Sequence, residues 1–236
     1  PDLGEAQRFL TALARTESVT FQTLPERKHP KSGRLMGLNR LLHGRFANQS
    51  EALNYLNRNG AGIFFMVNQS HGTGRKTEDV ARVRALFVDL DGSDLEPVLK
   101  ATIPPSITVE SSPGRYHAYW LIDGMPLKDF KPAQQALADM FGGDKTVCDL
   151  PRLMRLPGFY HQKSSFPFRS KLLSCEPELV WKWEDLANGL CLPFSSIAST
   201  IPKGERNSTL FRLAASSALQ GTSREQKAID LHRINQ

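Results

Sequence analysis

The feature that most constrains this chain is an apolar run that ends in two carboxylates, Val83–Gly92. The run is short and rich in β-prone residues, which predicts a buried strand. Because side chains alternate along a strand, Asp89 and Asp91 lie on the same face. Magnesium commonly combines one or two carboxylates with substrate phosphates, so the pair predicts a metal site for phosphoryl or nucleotidyl transfer. The alternative is a strand end whose acids only cap a turn at Gly92.

Charge and cysteine content narrow the class of protein. A formal net charge of +6 over 236 residues favours a polyanionic partner, with nucleic acid first. The three cysteines form no Cys-x-x-Cys pair, which predicts a reducing, cytoplasmic compartment and argues against a structural zinc module. No apolar run is long enough to span a membrane and no signal peptide is visible, so we expect no membrane association.

Hydrophobic periodicity predicts helices and strands that alternate along the chain. The predicted helices are Glu5–Arg15, Ser50–Asn59 (with Ser50 as N-cap) and Lys128–Phe141. The predicted strands outside Val83–Gly92 are Val19–Leu24, Leu38–Phe46, Ile63–Val67, Ser106–Ser111, Tyr116–Ile122 and Arg169–Leu173. This pattern predicts an α/β (α+β) fold with a mixed sheet.

The composition also predicts a division of the chain near Leu190. We expect a catalytic domain over residues 1–192 and a linker rich in Ser, Pro and Gly over residues 193–203. Residues 204–236 predict a short C-terminal helical segment, which either docks on the main domain or begins a helix-bundle module.

A loop rich in glycine and basic residues, Asn68–Lys76, precedes the Asp-x-Asp strand. Its glycines let backbone amides approach an anion, and Arg75 and Lys76 supply positive charge. Asn68, Arg75 and Lys76 are therefore candidates for nucleotide binding. The alternative is a solvated loop without a ligand.

Two residues of the following hairpin are further candidates for nucleotide binding. His117 lies on a strand that we expect to pair with the Asp-x-Asp strand, and it could hydrogen-bond a nucleotide phosphate. Arg115, two positions earlier, could contact the same phosphate. The alternative for His117 is a satisfied core histidine.

A third cluster, Cys148–Lys163, combines one acid with several cations. Asp149 could be a third metal ligand or could position the attacking hydroxyl. Arg152, Arg155 and Lys163 could neutralise a triphosphate or a template backbone. The alternative is a salt-bridged connector.

Asp144 competes with Asp149 for the role of third acid. Asp144 follows two glycines, where a turn is expected and where Asp commonly bonds the local backbone. Asp149 follows a short β-prone run and directly precedes the arginines, so it is the predicted ligand.

The order of these pieces resembles the archaeo-eukaryotic primase superfamily, in particular RepB-type primases of plasmid and phage replication proteins. The resemblance rests on Val83–Gly92, Glu110–Trp120 and Cys148–Lys163, and extends upstream to the Ile63–Asn68 strand. It implies a DNA primase or primase-polymerase in which Asp89, Asp91 and Asp149 hold Mg²⁺ or Mn²⁺. His117 would then contact the nucleotide. Arg115 departs from the family, since many members have a small residue there.

The resemblance also implies the partners: a single-stranded DNA template, nucleoside triphosphates and a replicative helicase. Two other functions compete with this interpretation. A haloacid dehalogenase-type phosphatase would use Asp89 as a covalent nucleophile, but its motif usually lies on the first strand of the fold. A non-catalytic replication initiator would bind DNA, but it would not need converging acids.

Overall fold

Two larger β-sheets and five helices form the part of the chain that the computed structural model describes, residues 1–27, 38–72 and 74–194. In chain order the elements are α1 (Leu3–Ala14), β1 (Val19–Pro25), β2 (Arg40–Gly44), α2 (Phe46–Arg58), β3 (Ala61–Met66), β4 (Gln69–Ser70), a 3₁₀ turn (Thr77–Asp79), β5 (Val80–Arg82), β6 (Ala85–Leu90), α3 (Glu96–Leu99), β7 (Ile107–Ser112), β8 (Arg115–Asp123), α4 (Leu127–Phe141), β9 (Leu153–Arg155), β10 (Tyr160–His161), β11 (Phe168–Arg169), β12 (Lys171–Cys175), β13 (Val180–Lys182) and α5 (Trp183–Gly189). Residues 1–194 form one compact unit. The predicted C-terminal helical segment, and all of the predicted linker beyond Phe194, lie outside the described residues.

The sheets confirm the predicted mixed α+β class. One sheet has the antiparallel order β2-β1-β3-β9. In the other, β8 is central: β6 and β7 flank it antiparallel, β12 extends the sheet beyond β7, and β13 pairs parallel with the end of β8. No helix in the described part of the chain is long and apolar enough to cross a membrane.

Helix α1 joins the two sheets through a shared core. Its apolar stripe buries Phe9, whose ring centroid lies 5.0 Å from that of Phe65 on β3 and 5.4 Å from that of Tyr119 on β8. Asp2 caps the helix, because its carboxylate accepts a hydrogen bond from the backbone N–H of Glu5 at 2.9 Å. The two sheets are thereby held against one helix, and this places β3, β6 and β8 around one cleft.

The second helix differs from the sequence prediction at its start. It begins at Phe46, four residues before the predicted N-cap Ser50, and Arg45 is the N-cap residue. Entering the helix early buries Phe46, whose ring lies 6.3 Å from that of Phe21. This burial shortens the predicted strand Leu38–Phe46 to β2, so tertiary packing overrides the local capping signal.

Candidate active site

The Asp-x-Asp strand and the histidine strand are neighbours, as predicted. β6 pairs antiparallel with β8, and Asp89 lies directly opposite His117 in the register. The His117 Nε2 atom is 3.6 Å from Asp89 Oδ1. Opposed residues on paired strands project to the same face of the sheet, so the register places both side chains at one end of β6.

The outer edge of β6 is covered by α4 and the turn that follows it. The side-chain amide of Gln134 bonds both the N–H and the C=O of Phe87, which satisfies an otherwise unpaired strand edge. A Cβ on Gly143 would lie 2.3 Å from a methyl of Val88, so only glycine lets the turn approach this closely. The backbone N–H of Asp144 donates to the C=O of Asp89 at 3.0 Å. These contacts hold the Asp89 backbone in place.

A cleft of about 190 Å³ opens over this end of the sheet. Its lining residues are Phe64, Asp89, Asp91, Ser111, Ser112, Arg115, His117, Leu153, Met154, Arg155, His161 and Lys163. Six candidates from the sequence therefore meet in one cleft, the two acids together with His117, Arg115, Arg155 and Lys163. The sequence analysis did not single out Phe64, Ser111, Ser112 or His161, because their approach depends on sheet pairing.

Asp89 is held in an environment that disfavours its charge. Burial, followed by the negative charges of Asp91 and Asp144, raises the pKa of Asp89 from 3.8 to about 6. Arg115 and Arg152 oppose this effect without cancelling it. A bound cation would relieve the repulsion, so the electrostatics suit a positively charged ligand at this carboxylate.

Asp91 is the exposed member of the pair, and Arg115 partners it. The Arg115 Nη1 atom lies 2.8 Å from Asp91 Oδ1, and more than half of each side chain is exposed. Exposed ion pairs contribute little free energy of folding, so a cation or a phosphate can exchange into this contact at small cost.

His117 is uncharged at neutral pH. Burial, with a further contribution from the positive charge of Arg155, lowers the pKa of His117 to about 3. Its Nδ1 atom lies 3.1 Å from the hydroxyl of Tyr119, whose own pKa burial raises well above 10. The contact with Asp89 is therefore not an ion pair. A neutral imidazole can donate one hydrogen bond to a phosphate oxygen while the other ring nitrogen contacts Tyr119.

A buried carboxylate, Glu26, organises the basic side of the cleft. Its side chain is 2% exposed, and its oxygens accept hydrogen bonds from Arg155 Nη2 at 2.6 Å and from Arg155 Nη1 at 3.3 Å. It also accepts from the backbone N–H of Gln162 at 2.8 Å, and it lies 4.0 Å from His161 Nε2. The Arg155 guanidinium packs over the Phe64 ring, with its carbon 4.7 Å from the ring centroid. Nothing in the local sequence around Glu26 signals this role, because its partners lie about 130 residues away.

Substitution of Glu26 should be strongly destabilising. Glu26→Ala leaves the charge of Arg155 buried without a partner, and the expected loss is about 3–5 kcal/mol in the free energy of unfolding. Glu26→Gln keeps the volume and should lose less, about 2 kcal/mol, since hydrogen bonds to a charged partner are weakened but not removed. Urea denaturation measures both. Glu96→Gln is the matched control, since Glu96 pairs with Lys100 on the surface and its loss should cost under about 0.5 kcal/mol. Equal midpoints for the Glu26 and Glu96 variants would contradict the assignment.

The third acid lies apart from the pair. The carboxylate of Asp149 pairs with Arg152, is about half exposed, and does not line the cleft. The carboxylate of Asp144 accepts hydrogen bonds from the backbone N–H and the hydroxyl of Thr146, both at 2.8 Å, as expected for an acid in a turn. Within the described residues no three His, Cys, Asp or Glu side chains are grouped closely enough to hold a metal ion. The role of Asp149 as a metal ligand stays a prediction.

Four of the predicted nucleotide-binding residues do not line the cleft. Asn68 is buried, and its side chain bonds the C=O of Leu150 at 2.9 Å and the N–H of Arg84 at 3.1 Å, which is a structural role. Lys76 pairs with Glu78 at the surface, and Arg75 lies in the same loop. Arg152 donates to the C=O of Thr146 at 2.5 Å. Nucleotide binding by these four residues stays a prediction.

The raised pKa of Asp89 should appear in the pH dependence of stability of the metal-free protein. The folded state binds this proton more tightly than the unfolded state, so the free energy of unfolding falls as the pH rises from about 4 to about 6. Asp89→Asn removes this loss. The variant should therefore gain stability over the wild type across that interval, by about 3 kcal/mol in all. Asp91→Asn removes one cause of the raised pKa of Asp89. The free energy of unfolding of this variant should therefore fall less than that of the wild type between pH 4 and pH 6. Urea titrations at pH 4, 5, 6 and 7 measure the difference, and parallel curves for wild type and Asp89→Asn would contradict it.

The donors at this site suit a hard divalent cation. Asp89 and Asp91 offer carboxylate oxygens, which Mg²⁺ and Mn²⁺ prefer, and they lie on the same side of one strand end. Burial first, and then the negative charges of Asp91 and Asp144, raise the pKa of Asp89, and a bound divalent cation would favour the charged form of this carboxylate. Magnesium usually keeps waters and takes further oxygens from substrate phosphates, so two protein carboxylates suffice to anchor it.

Comparison with known families agrees with this geometry. The family described as the RepB DNA-primase N-terminal domain matches residues 67–191, which include the Asp-x-Asp strand, the His117 strand and the Arg155 segment. The chain belongs to the RepB primase family. The phosphatase alternative is not supported. The Asp-x-Asp motif begins on the sixth strand and not on the first, and the family that the chain matches is a primase family.

Solved structures place this RepB-type domain in the archaeo-eukaryotic primase fold. The primase-polymerase domain of cyanophage S-2L superposes with a TM-score of 0.62 at 17% identity, covering 80% of this chain and 98% of that one. The catalytic domain of primase RepB′ in complex with initiator DNA gives a TM-score of 0.55 at 19% identity, covering 75% and 86%. Primase RepB′ alone gives 0.58 at 18% identity, covering 91% and 68%. The predicted fold is thus confirmed.

A curated relative is matched over only part of its length. This chain is 27% identical to a replication protein of Clostridium perfringens over 146 residues. The match covers 54% of this chain and 35% of the relative, so it spans about a third of that protein's length.

Proposed function

We propose that this chain carries the catalytic domain of a DNA primase or primase-polymerase that makes primers on single-stranded DNA in plasmid or phage replication. The observation that carries the proposal is the pairing of Asp89 with His117 in register, beside Asp91, at the end of a cleft lined with cations. Family membership supports the same class of nucleotidyl transfer.

In this proposal Asp89 and Asp91 hold Mg²⁺ or Mn²⁺, and Asp149 joins them. When bound, divalent cations supply positive charge that stabilises the attacking and leaving oxygens of an in-line displacement. Asp149 must first leave Arg152, which keeps its hydrogen bond to the C=O of Thr146 when the half-exposed carboxylate moves. Asp89 on β6 and Asp91 just after it would therefore fix the position of the reacting phosphate, and the third acid would complete the site.

The remaining cleft residues bind and orient the nucleoside triphosphate. His117 donates a hydrogen bond from its neutral ring to a phosphate oxygen, without adding charge beside Asp89. Arg155 is held rigidly by Glu26, so its guanidinium has one fixed orientation. Lys163 and Arg115 lie at the open side of the cleft, where they can neutralise a triphosphate. Fixed donors of this kind stabilise developing charge without reorganisation during the reaction.

The partners in this proposal are a single-stranded DNA template, nucleoside triphosphates and a replicative helicase. The RepB′ relative was solved with initiator DNA, which supports DNA binding for this fold. The net charge of +6 fits a polyanionic template. Since backbone contacts release counterions, affinity for single-stranded DNA should fall steeply as salt rises from 50 to 200 mM, by about tenfold or more. Fluorescence anisotropy of a labelled oligonucleotide measures this dependence.

One assay separates the three candidate functions. The protein is incubated with single-stranded DNA, labelled nucleotides and Mg²⁺ or Mn²⁺, and products are sized on a gel. A parallel reaction measures phosphate release from a phosphomonoester. A primase gives metal-dependent oligonucleotide products, a phosphatase gives only phosphate, and a non-catalytic initiator binds the DNA and gives neither product.

A further inference from the structure

Phe166 is an aromatic residue that the fold leaves in solvent. Its side chain is 87% exposed, the highest value among the exposed large hydrophobic residues that the structure describes. It lies in the loop over residues 162–167 that joins β10 to β11. The hydroxyl of Ser164 donates to the C=O of Phe166 at 2.5 Å, which gives this loop tip a defined turn. A single exposed aromatic is common on protein surfaces, so what points to a ligand is the position of Phe166 in the chain, three residues after Lys163, which lines the cleft.

The base of this loop is rigid and belongs to the cleft. Gln162 donates its backbone N–H to Glu26 at 2.8 Å and its side-chain amide to the C=O of Asn57 at 2.6 Å. Asn57 is buried and also bonds both backbone groups of Tyr160, at 2.8 and 3.0 Å. The ring of Phe166 therefore projects from an anchored hairpin, three residues after Lys163, which lines the cleft.

The charge around the loop selects the kind of partner. Lys163 forms no ion pair with an acid in the part of the chain that the structure describes, so its charge is available to a ligand. Lys171 packs its ammonium 5.1 Å from the centroid of the Phe168 ring, on the strand after the hairpin. Lys171 is paired with Glu110 at 3.4 Å, so Lys163 is the cation near the loop that a ligand can use. An exposed ring close in the chain to a cation that lines a cleft matches the combination that binds single-stranded nucleic acid, where bases stack on aromatics and cations follow the backbone.

We propose that Phe166 stacks on an unpaired base of the DNA strand that enters the cleft, and that Lys163 contacts an adjacent phosphate of that strand. This inference rests on the proposed function, since it assumes a single-stranded template at the cleft. It adds a sequence-independent contact outside the carboxylate site. Stacking requires a free base face, so the contact forms with single-stranded DNA and not with blunt duplex.

Three variants of the full chain test the stacking contact by anisotropy with a single-stranded oligonucleotide. Phe166→Ala should weaken binding between about 5-fold and 150-fold, the range for loss of one stacked base. Phe166→Trp should bind at least as tightly as the wild type, and its indole fluorescence should be quenched by the DNA. Tyr55→Ala is the matched control: Tyr55 is an aromatic on α2 that is 68% exposed and does not line the cleft, and its loss should leave binding unchanged.

Salt dependence separates stacking from charge. Phe166→Ala should leave the slope of log affinity against log salt unchanged, whereas Lys163→Ala should reduce it by about 0.7, the value for one phosphate contact on a single strand. Binding of blunt duplex should be the same for Phe166→Ala and the wild type. Because Phe166 is exposed, its truncation should not change the melting temperature, so a loss of binding cannot be attributed to unfolding.

Three results would overturn the inference, and they are distinguishable. If the wild type binds and copies single-stranded DNA while Phe166→Ala binds it equally well, the stacking contact is wrong and the proposed function stands. If the wild type binds no single-stranded DNA, both the proposed function and the stacking contact fail. An equal loss of duplex and single-strand affinity in Phe166→Ala would also exclude base stacking.

Discussion

Replacement of Asp89 and Asp91 together by alanine should lower primer synthesis by on the order of 1,000-fold or more, to background. Both carboxylates lie at the end of the cleft and supply oxygens for the divalent cation. Without them the charge that stabilises the attacking and leaving oxygens is absent, and single electrostatic groups of this kind already contribute about 100- to 1,000-fold. The readout is the amount of labelled oligonucleotide made on single-stranded DNA with Mg²⁺ and with Mn²⁺.

The same double variant should remain folded, because the pair is a source of repulsion and not of stability. The raised pKa of Asp89 records that its charge is disfavoured in the folded state. We therefore expect a melting temperature at neutral pH that is equal to or above that of the wild type. Asp123→Ala is the control for synthesis, since Asp123 is an exposed acid at the far end of β8 and does not line the cleft. Product from the folded double variant at the wild-type level would exclude the proposed site.

The second large effect is a loss of primer synthesis that should distinguish Asp149 from Asp144, the two acids that follow α4. Asp149→Asn should lose nearly all synthesis, because a neutral amide is a poor ligand for Mg²⁺ and because Asp149 is the acid proposed to join the pair. Asp144→Asn should retain most synthesis. Its side-chain oxygen can still accept from the backbone N–H and hydroxyl of Thr146, and its contact with Asp89 runs through the main chain.

Single-turnover rates at saturating metal and nucleotide give the comparison, together with melting temperatures. Arg152→Ala separates a metal role of Asp149 from a role as the partner of Arg152. If Asp149 acts only by holding Arg152, the two variants should lose the same amount of synthesis. Rates in which Asp144→Asn is the more damaging change would show that Asp144 is the third ligand.

The core of the site could be predicted from the chain because it depends on local rules. Strand alternation predicts Asp89 and Asp91 on one face, and both line the cleft although β6 ends at Leu90, one residue before Asp91. The short Pro-Gly hairpin fixes the register of β7 against β8. The strand that carries His117 was expected beside β6, and the structure confirms that pairing. The turn role of Asp144 also follows from residue type, since Asp after two glycines bonds its own backbone.

The surroundings of the pair could not be predicted, because they depend on contacts between distant segments. In the sequence Glu26 is a single acid followed by the basic residues Arg27 and Lys28, which suggests an ordinary solvated position. In the structure its side chain is buried against Arg155, 129 residues away. Arg75 and Lys76 read as an anion-binding loop, yet they do not line the cleft. Charge and glycine content indicate what a loop can bind, but the direction in which a loop projects depends on packing.

The sequence by itself therefore determined the strand with paired acids, the histidine strand beside it, the α+β class and the family, because strand alternation, helix periodicity and motif order are local or linear properties. Tertiary structure alone decided which cations line the cleft, how buried each acid is and which acid lies beside Asp89. The shifted pKa of Asp89, the neutral state of His117 and the exposure of Phe166 also belong to the folded chain. The reason is physical: burial and electrostatic interaction depend on distances between residues far apart in the chain, and those distances exist only once the sheets have packed around α1.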